Sequence, residues 1–144
     1  MTQLQKNTKL LKDIAVLIPT LNNLAMLKQV LTAVFDQTLL PLEIVISDSS
    51  SNDEIQEFVK TLSSEINISY IRAGRAYKFD KLLSKIKNLF SWTESSNSNY
   101  SGRAYPYEAT NLAISHTSCS WVAFLDAGTL PTQSWLEDYW NLVS

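Results

Sequence analysis

The chain of 144 residues is long enough for one domain with its own hydrophobic core. It is 45% hydrophobic and 18% charged, as in ordinary globular domains, and its net charge of -2 gives no support for nucleic-acid binding. No segment approaches the roughly 20 apolar residues of a membrane span. Met1–Lys12 lacks the apolar stretch of a signal peptide, and a single cysteine allows no intrachain disulfide. We therefore expect a cytoplasmic protein.

The first third of the chain predicts a buried strand followed by an amphipathic helix. Ile14–Ile18 is a continuous aliphatic run ended by Pro19, which is typical of a strand buried on both faces of a parallel sheet. Asn22 or Asn23 is a candidate cap for the helix that follows. Leucines and valines then recur at helical spacing to about Gln37.

The next segments continue the alternation of strands and helices. Pro41 is predicted to break the chain before a second buried strand, Leu42–Ile46. A polar turn, 48–53, precedes a helix whose apolar residues lie between 55 and 62, and Ile66–Ile71 is a third strand. This order predicts an α/β domain with right-handed crossovers.

The second half predicts three helices and one more strand. Lys78–Trp92 has helical periodicity, and a Ser/Asn-rich loop follows it. A helix around 108–116 leads to the strand Trp121–Leu125, and Pro131 is predicted to open a last helix. We expect 1–144 to be a single domain.

Residues 74–101 interrupt the alternation, so we interpret them as an insertion. Its helix, Lys78–Trp92, carries four lysines around an apolar side. This helix packs either on the rest of the protein or on an anionic membrane surface. The chain ends at Ser144 within a predicted helix, which suggests a unit that is incomplete at its C-terminus.

Polar residues follow three of the predicted strands: Thr20 with Asn22, Asp48 with Ser49, and Asp126. Ligands of open α/β sheets bind at the carboxyl ends of the strands, so these groups are candidates for one binding site. The chain has three glycines, which form neither a dinucleotide-binding turn nor a phosphate-binding loop. A phosphate-bearing ligand would therefore need side chains or a metal ion.

Five segments resemble family 2 glycosyltransferases, and they occur in that family's order. They are Ile14–Asn22 (a hydrophobic run ending Ile-Pro-Thr-Tyr-Asn in the family), Val34–Thr38 (Gln-Thr), Leu42–Asp53 (Glu-Ile-Ile-Val-Val-Asp-Asp-Gly-Ser-x-Asp), Asn111–Ile114 (Arg-Asn-x-Gly-Ile) and Trp121–Gly128 (Phe-Leu-Asp-x-Asp). The resemblance covers nearly all of the chain outside 74–101. It implies a GT-A fold, a three-layer α/β/α sandwich with a mostly parallel sheet.

The resemblance also implies the nucleotide-sugar-binding part of an enzyme that transfers a sugar from a nucleoside-diphosphate donor to a glycan or lipid-linked acceptor. The implied donor-site residues are Pro19, Thr20 and Asn22 beneath the nucleoside, Asp48 and Ser49 at the base and ribose, Asn111, and Asp126 near the diphosphate and a metal. The metal would be Mn²⁺ or Mg²⁺, bridging the phosphates. The enzyme would be cytoplasmic, with peripheral contact at the inner face of the membrane through Lys78–Trp92.

Three positions depart from the family pattern. Ser49 replaces the second acid of the Asp-Asp pair, Thr110 replaces the arginine before the helical asparagine, and Gly128 replaces the second aspartate of Asp-x-Asp. The alternative is therefore a truncated or degenerate nucleotide-sugar-binding module without catalysis. The family's catalytic base lies further along the chain, so we name no catalytic residue.

The residues by themselves allow plainer roles. Asp48 is a candidate helix cap, Asp126 a candidate turn residue before Gly128, and Asn111 a candidate exposed helical asparagine.

Overall fold

A computed structural model of the chain describes residues 11–73 and 106–143. Strands and helices alternate along most of it: β1 (Leu11–Thr20), α1 (Leu24–Phe35), β2 (Leu40–Asp48), α2 (Glu54–Lys60), β3 (Asn67–Arg72), α3 (Pro106–Ile114), β4 (Trp121–Phe124) and α4 (Trp135–Val143). The predicted helix Lys78–Trp92 and nearly all of the predicted insertion lie outside the described residues.

The four strands form one sheet in the order β3-β2-β1-β4, and every neighbouring pair is parallel. β1 therefore has a partner on each side, with Leu17 opposite Val45 of β2 and Phe124 of β4. The prediction of a strand buried on both faces is confirmed, because Ile14–Ile18 is 0% exposed throughout. Parallel neighbours require crossover connections, which place helices on the faces of the sheet.

Alternate residues of the strands point to opposite faces, and each face packs against helices. One face packs Ile14, Val16 and Ile18 against buried residues of α1, α2 and α4, among them Leu27, Ile55 and Leu136. The other packs Ala15, Leu17 and Val45 against Ala113 of α3. These layers confirm the predicted three-layer α/β/α arrangement.

The prediction that Pro41 breaks the chain ahead of β2 is wrong. Pro41 is the second residue of β2, is buried, and lies opposite Lys12 of β1. β3 pairs with β2 only from Glu43 onward, so among the described strands this end of β2 has a neighbour on one side only. Such a position tolerates the missing N–H of proline.

The limits of two helices also differ from the predictions. α1 ends at Phe35 rather than near Gln37, and α4 begins at Trp135 rather than at Pro131. The cap of α1 is Asn23, whose Oδ1 accepts a hydrogen bond from the Met26 amide at 3.2 Å. Among residues 11–73 and 106–143, no helix is long and apolar enough to cross a membrane.

Candidate functional site

The loops that follow β1 and β2 leave the sheet side by side. Thr20 and Asp48, the last residues of these strands, are register partners. The Ser49 amide donates a hydrogen bond of 2.9 Å to the Thr20 carbonyl, which extends the pairing one residue into the β2–α2 loop. The structure thus brings together two of the strand ends that the sequence predicted to share a site.

Asn22 joins the two loops through both its backbone and its side chain. Its amide donates to Ser50 Oγ at 2.7 Å, and its Oδ1 accepts from the Ser51 amide at 3.0 Å. Its φ of 49° lies in the left-handed region, which asparagine tolerates better than most residues. Asn22 therefore links the end of β1 to the β2–α2 loop.

Asp48 is a buried carboxylate whose oxygens both have partners. Its side chain is 0% exposed; Oδ1 accepts from the Ser50 amide and Oδ2 from the Tyr70 hydroxyl, each at 2.8 Å. Arg72 Nη1 lies 3.7 Å from Oδ2 and compensates the buried charge. Burial and the hydrogen bond to Asp48 raise the pKa of Tyr70 above that of an ordinary tyrosine.

Arg72, the last residue of β3, holds the β2–α2 loop in place. Its Nη1 donates to the carbonyls of Ser50 at 2.8 Å and Asn52 at 2.7 Å, and its Nη2 pairs with the Asp53 carboxylate. Planar guanidinium donors suit such convergent acceptors. Neither Arg72 nor Tyr70 was predicted as a site residue, although both lie at the carboxyl end of β3, and that position was the one signal in the sequence.

Asp126 lies at the end of β4, on the other side of β1. The Leu125 amide donates to the Leu17 carbonyl at 3.0 Å, so Asp126 follows the last bond between these two strands. The side chain is exposed, and its Oδ1 accepts from the Gly128 amide at 3.3 Å. Asp126 therefore makes the turn that its plainer interpretation predicts, while its remaining carboxylate oxygen is available to a ligand.

The described residues do not form a metal site from protein ligands alone. No group of three His, Cys, Asp or Glu side chains suited to a metal occurs within 11–73 and 106–143. At Gly128, a Cβ would meet nothing within 4 Å, so there is room for the acid that the family has there. One carboxylate fits only a cation whose other ligands are water and phosphate oxygens.

The remaining predicted residues occupy different parts of the structure. Pro19 is half-buried and Ser49 buried, beside the Thr20 and Asp48 pair. Asn111 is exposed on α3, two residues from the buried Ala109 and therefore about 200° around the helix from it. The structure places Asn111 on the solvent side of α3, and its binding role stays a prediction.

Two buried hydroxyls at these strand ends have no hydrogen-bond partner in the described structure. They are Thr20 Oγ1 and Ser47 Oγ. Buried polar atoms are usually satisfied, so a bound water or ligand atom is the expected partner of each. Thr20 belongs to the predicted donor site, whereas Ser47 was not predicted.

The fold and these strand ends define a class of protein: a doubly wound α/β domain with polar groups at the carboxyl edge of a parallel sheet. Residues 15–82 match the sequence model of glycosyl transferase family 2. The chain is 22% identical over 139 residues to chondroitin synthase of Escherichia coli, covering 94% of this chain and 16% of that protein. Residues 15–82 of the chain are therefore similar to glycosyl transferase family 2.

Solved structures with the same fold include TarS of S. aureus. The chain resembles it with a TM-score of 0.56 at 16% identity, over 90% of this chain and 19% of TarS. For TarS 1-349 in complex with UDP-GlcNAc, the TM-score is 0.57 at 17% identity, over 90% of this chain and 30% of that one. The chain thus spans less than a third of each of these proteins and of the chondroitin synthase.

Proposed function

We propose that the chain binds the nucleoside-diphosphate-sugar donor of a glycosyltransferase. The observation that supports this best is the strand order, in which β2 and β4 lie on opposite sides of β1. The order reverses at β1, and α/β sheets bind ligands at such a switch point, outside the carboxyl ends of the strands. Asp48 is the last residue of β2, and Asn22 and Asp126 each lie two residues after a strand at that edge.

We assign the nucleoside to the β1 and β2 ends. Pro19, Thr20 and Asn22 form the floor in this assignment, and Ser49 faces the base and ribose. Because Asp48 is fully buried and its oxygens are engaged, we propose that it shapes the β2–α2 loop under the base. Asn111 belongs to the same proposed donor site.

We assign the diphosphate to the β4 side, near Asp126. With β1 between β2 and β4 and strands about 4.8 Å apart, the backbones of these two ends are roughly 10 Å from each other. That separation lets one extended ligand contact both. A Mn²⁺ or Mg²⁺ ion, when bound, would neutralise the phosphates, with Asp126 as its protein ligand.

The proposed donor is a nucleoside-diphosphate sugar such as the UDP-GlcNAc in the TarS complex. The proposed acceptor is a glycan, in line with the chondroitin synthase relative, or a lipid-linked glycan. We also propose a role in polysaccharide biosynthesis and a cytoplasmic location. Contact with the inner membrane face through Lys78–Trp92 remains a proposal about residues outside the described structure.

A second candidate function is a nucleotide-sugar-binding module without catalysis. The observation that favours it is the single carboxylate of the Asp126 turn, with Gly128 in place of a second acid. The two candidates differ in turnover: an enzyme consumes the donor in the presence of an acceptor, and a binding module does not.

Calorimetric titration with UDP, GDP and dTDP, each with Mn²⁺ and with chelator, tests the donor site. We expect one nucleotide to bind, and Asp126→Asn to weaken its Mn²⁺-dependent affinity by about tenfold, or ~1.4 kcal/mol. Asp36→Asn is the matched control, because Asp36 is an exposed aspartate at the far end of α1. If the folded chain binds none of the three nucleotides, the proposed function is wrong.

A further inference from the structure

A buried glutamine connects the end of α1 to the loop that follows Asp126. Gln37 is 0% exposed, although it lies in a polar connection between α1 and β2. Its Nε2 donates to the Ala33 carbonyl at 3.1 Å and to the Thr132 carbonyl at 2.7 Å. Its Oε1 accepts from the Leu136 amide at 3.0 Å. The side chain therefore uses both of its donor hydrogens and its acceptor.

The hydrogen bond from the Leu136 amide to Gln37 Oε1 satisfies the second amide of α4. Amides in the first turn of a helix have no partner within their own helix. A side chain 99 residues away thus does the work that a local N-cap residue does in most helices. Thr38 adds to the connection, because its amide donates to the Gln133 carbonyl at 2.9 Å and its hydroxyl to Glu137 Oε2 at 2.7 Å.

These contacts fix one end of residues 126–134, the Asp126 loop. The other end is fixed by the Leu125 bond to Leu17 on β1. Between the two ends, the described hydrogen bonds of the loop include only short-range ones, from Gly128 and Thr129 back to Asp126. Ala127 is also buried in the core cluster, so Gln37 and Thr38 act mainly on the part of the loop after Ala127, which lies beside the Asp126 carboxylate.

We propose that Gln37, supported by Thr38, is a positioning residue for the diphosphate side of the donor site. It touches no donor atom in this assignment and acts by holding the Asp126 loop. The inference rests on the proposed function. Partners that orient a ligating carboxylate commonly alter metal affinity by about 10- to 100-fold when they are removed.

The test compares UDP with uridine, because uridine lacks the diphosphate. In Gln37→Leu, we expect the Mn²⁺-dependent affinity for UDP to fall by about tenfold or more. Affinity for uridine should stay within about twofold, since the β1 and β2 ends are untouched. Thr38→Val, an exposed position, should give a smaller loss of the same kind and serves if Gln37→Leu does not fold.

Glu43→Gln is the matched control for a general loss of stability. Glu43 is also buried and accepts bonds from Ser69 at 2.9 Å and Thr117 at 2.7 Å, but it lies toward the amino end of β2. We expect it to leave the ratio of UDP to uridine affinity unchanged. The proposal would be overturned if Gln37→Leu lowered the affinities for UDP and uridine equally, or lowered neither.

Hydrogen exchange separates this inference from the proposed function. The amides of Gly128 and Thr129 should exchange faster in Gln37→Leu than in wild type, while the Ser51 amide keeps its rate. If the wild-type chain binds no nucleotide, the donor site fails and this readout still tests the positioning. Unchanged exchange at Gly128 and Thr129 would show that Gln37 does not hold the loop.

Discussion

At the scale of single residues, the β2 end is organised around a buried charge. Asp48 is removed from solvent, and its oxygens accept from Ser50, Tyr70 and, at longer range, Arg72. A buried carboxylate that lost these partners would be strongly unfavourable. The same arginine also binds the loop carbonyls of Ser50 and Asn52, so the charge and the loop conformation depend on each other.

This arrangement makes stability depend on pH through Tyr70. Its pKa is raised in the folded protein, first by burial and then by the hydrogen bond to Asp48. The folded state thus holds the phenol proton more tightly than the unfolded chain does. As the pH rises above about 10, the unfolded chain ionises first, so the free energy of unfolding falls. Urea titrations between about pH 9 and 11 should show this slope, and Tyr70→Phe should reduce it.

Tyr139→Phe is the control for this pH measurement. It removes a hydroxyl that donates to the Val122 carbonyl at 3.0 Å and leaves Tyr70 and its contribution to the slope in place. An unchanged slope in Tyr70→Phe would contradict the assigned link between Tyr70 and Asp48.

At the scale of elements, α4 is held to the sheet by one apolar stripe and by hydrogen bonds with Gln37 and Thr38, in the connection between α1 and β2. Leu136 is 0% exposed and packs in the same cluster as Ile14 and Leu27, whereas Leu142 on the same helix is 85% exposed. The two leucines therefore form a matched pair, with the same side chain in opposite environments.

Leu136→Ala should lower the free energy of unfolding by about 2–5 kcal/mol, because it removes buried methyl groups and leaves a cavity. Leu142→Ala should change it by less than about 0.5 kcal/mol. Chemical denaturation of the two variants beside wild type measures both. Equal effects would show that α4 does not pack on the sheet through Leu136.

Local patterns were enough to predict most elements. Aliphatic runs identified β1 and β2, and because parallel strands end at a common edge, the strand-end residues Thr20, Asn22, Asp48 and Asp126 could be predicted to lie along one edge. The roles of Gln37, Tyr70 and Arg72 could not be predicted, since their partners lie in distant segments: Gln37 and Leu136 are 99 residues apart.

The errors and the untested sites have the same physical origin. The prediction that Pro41 breaks the chain was wrong because a strand tolerates proline where it lacks a second neighbour. That depends on where β3 begins to pair with β2. The burial of Asp48 also depends on β3, which supplies Tyr70. The binding roles of all the predicted donor-site residues stay predictions, because they concern a ligand rather than the fold.

At the scale of the whole molecule, a ligand bound across the carboxyl ends of the strands would contact parts of the sheet on both sides of β1. Any ligand that binds only the folded state stabilises it, by about 2.7 kcal/mol at 100 times its Kd. UDP with Mn²⁺ should therefore raise the Tm by roughly 5–10 °C for a domain of this size.

Thermal unfolding monitored by circular dichroism, with and without UDP and Mn²⁺, measures this shift. Asp126→Asn should reduce it, and the control Asp36→Asn should retain it. If UDP with Mn²⁺ changed the Tm of neither wild type nor Asp36→Asn, binding to the native sheet would be contradicted.

The central position of β1 also affects how the chain is made. Ile14 pairs with Trp121, so the middle strand emerges from the ribosome more than a hundred residues before one of its neighbours. At a synthesis rate of 5–20 residues per second, β4 is made roughly 5–20 s after β1. During this interval the nascent chain exposes an unpaired aliphatic strand edge, which is a template for aggregation.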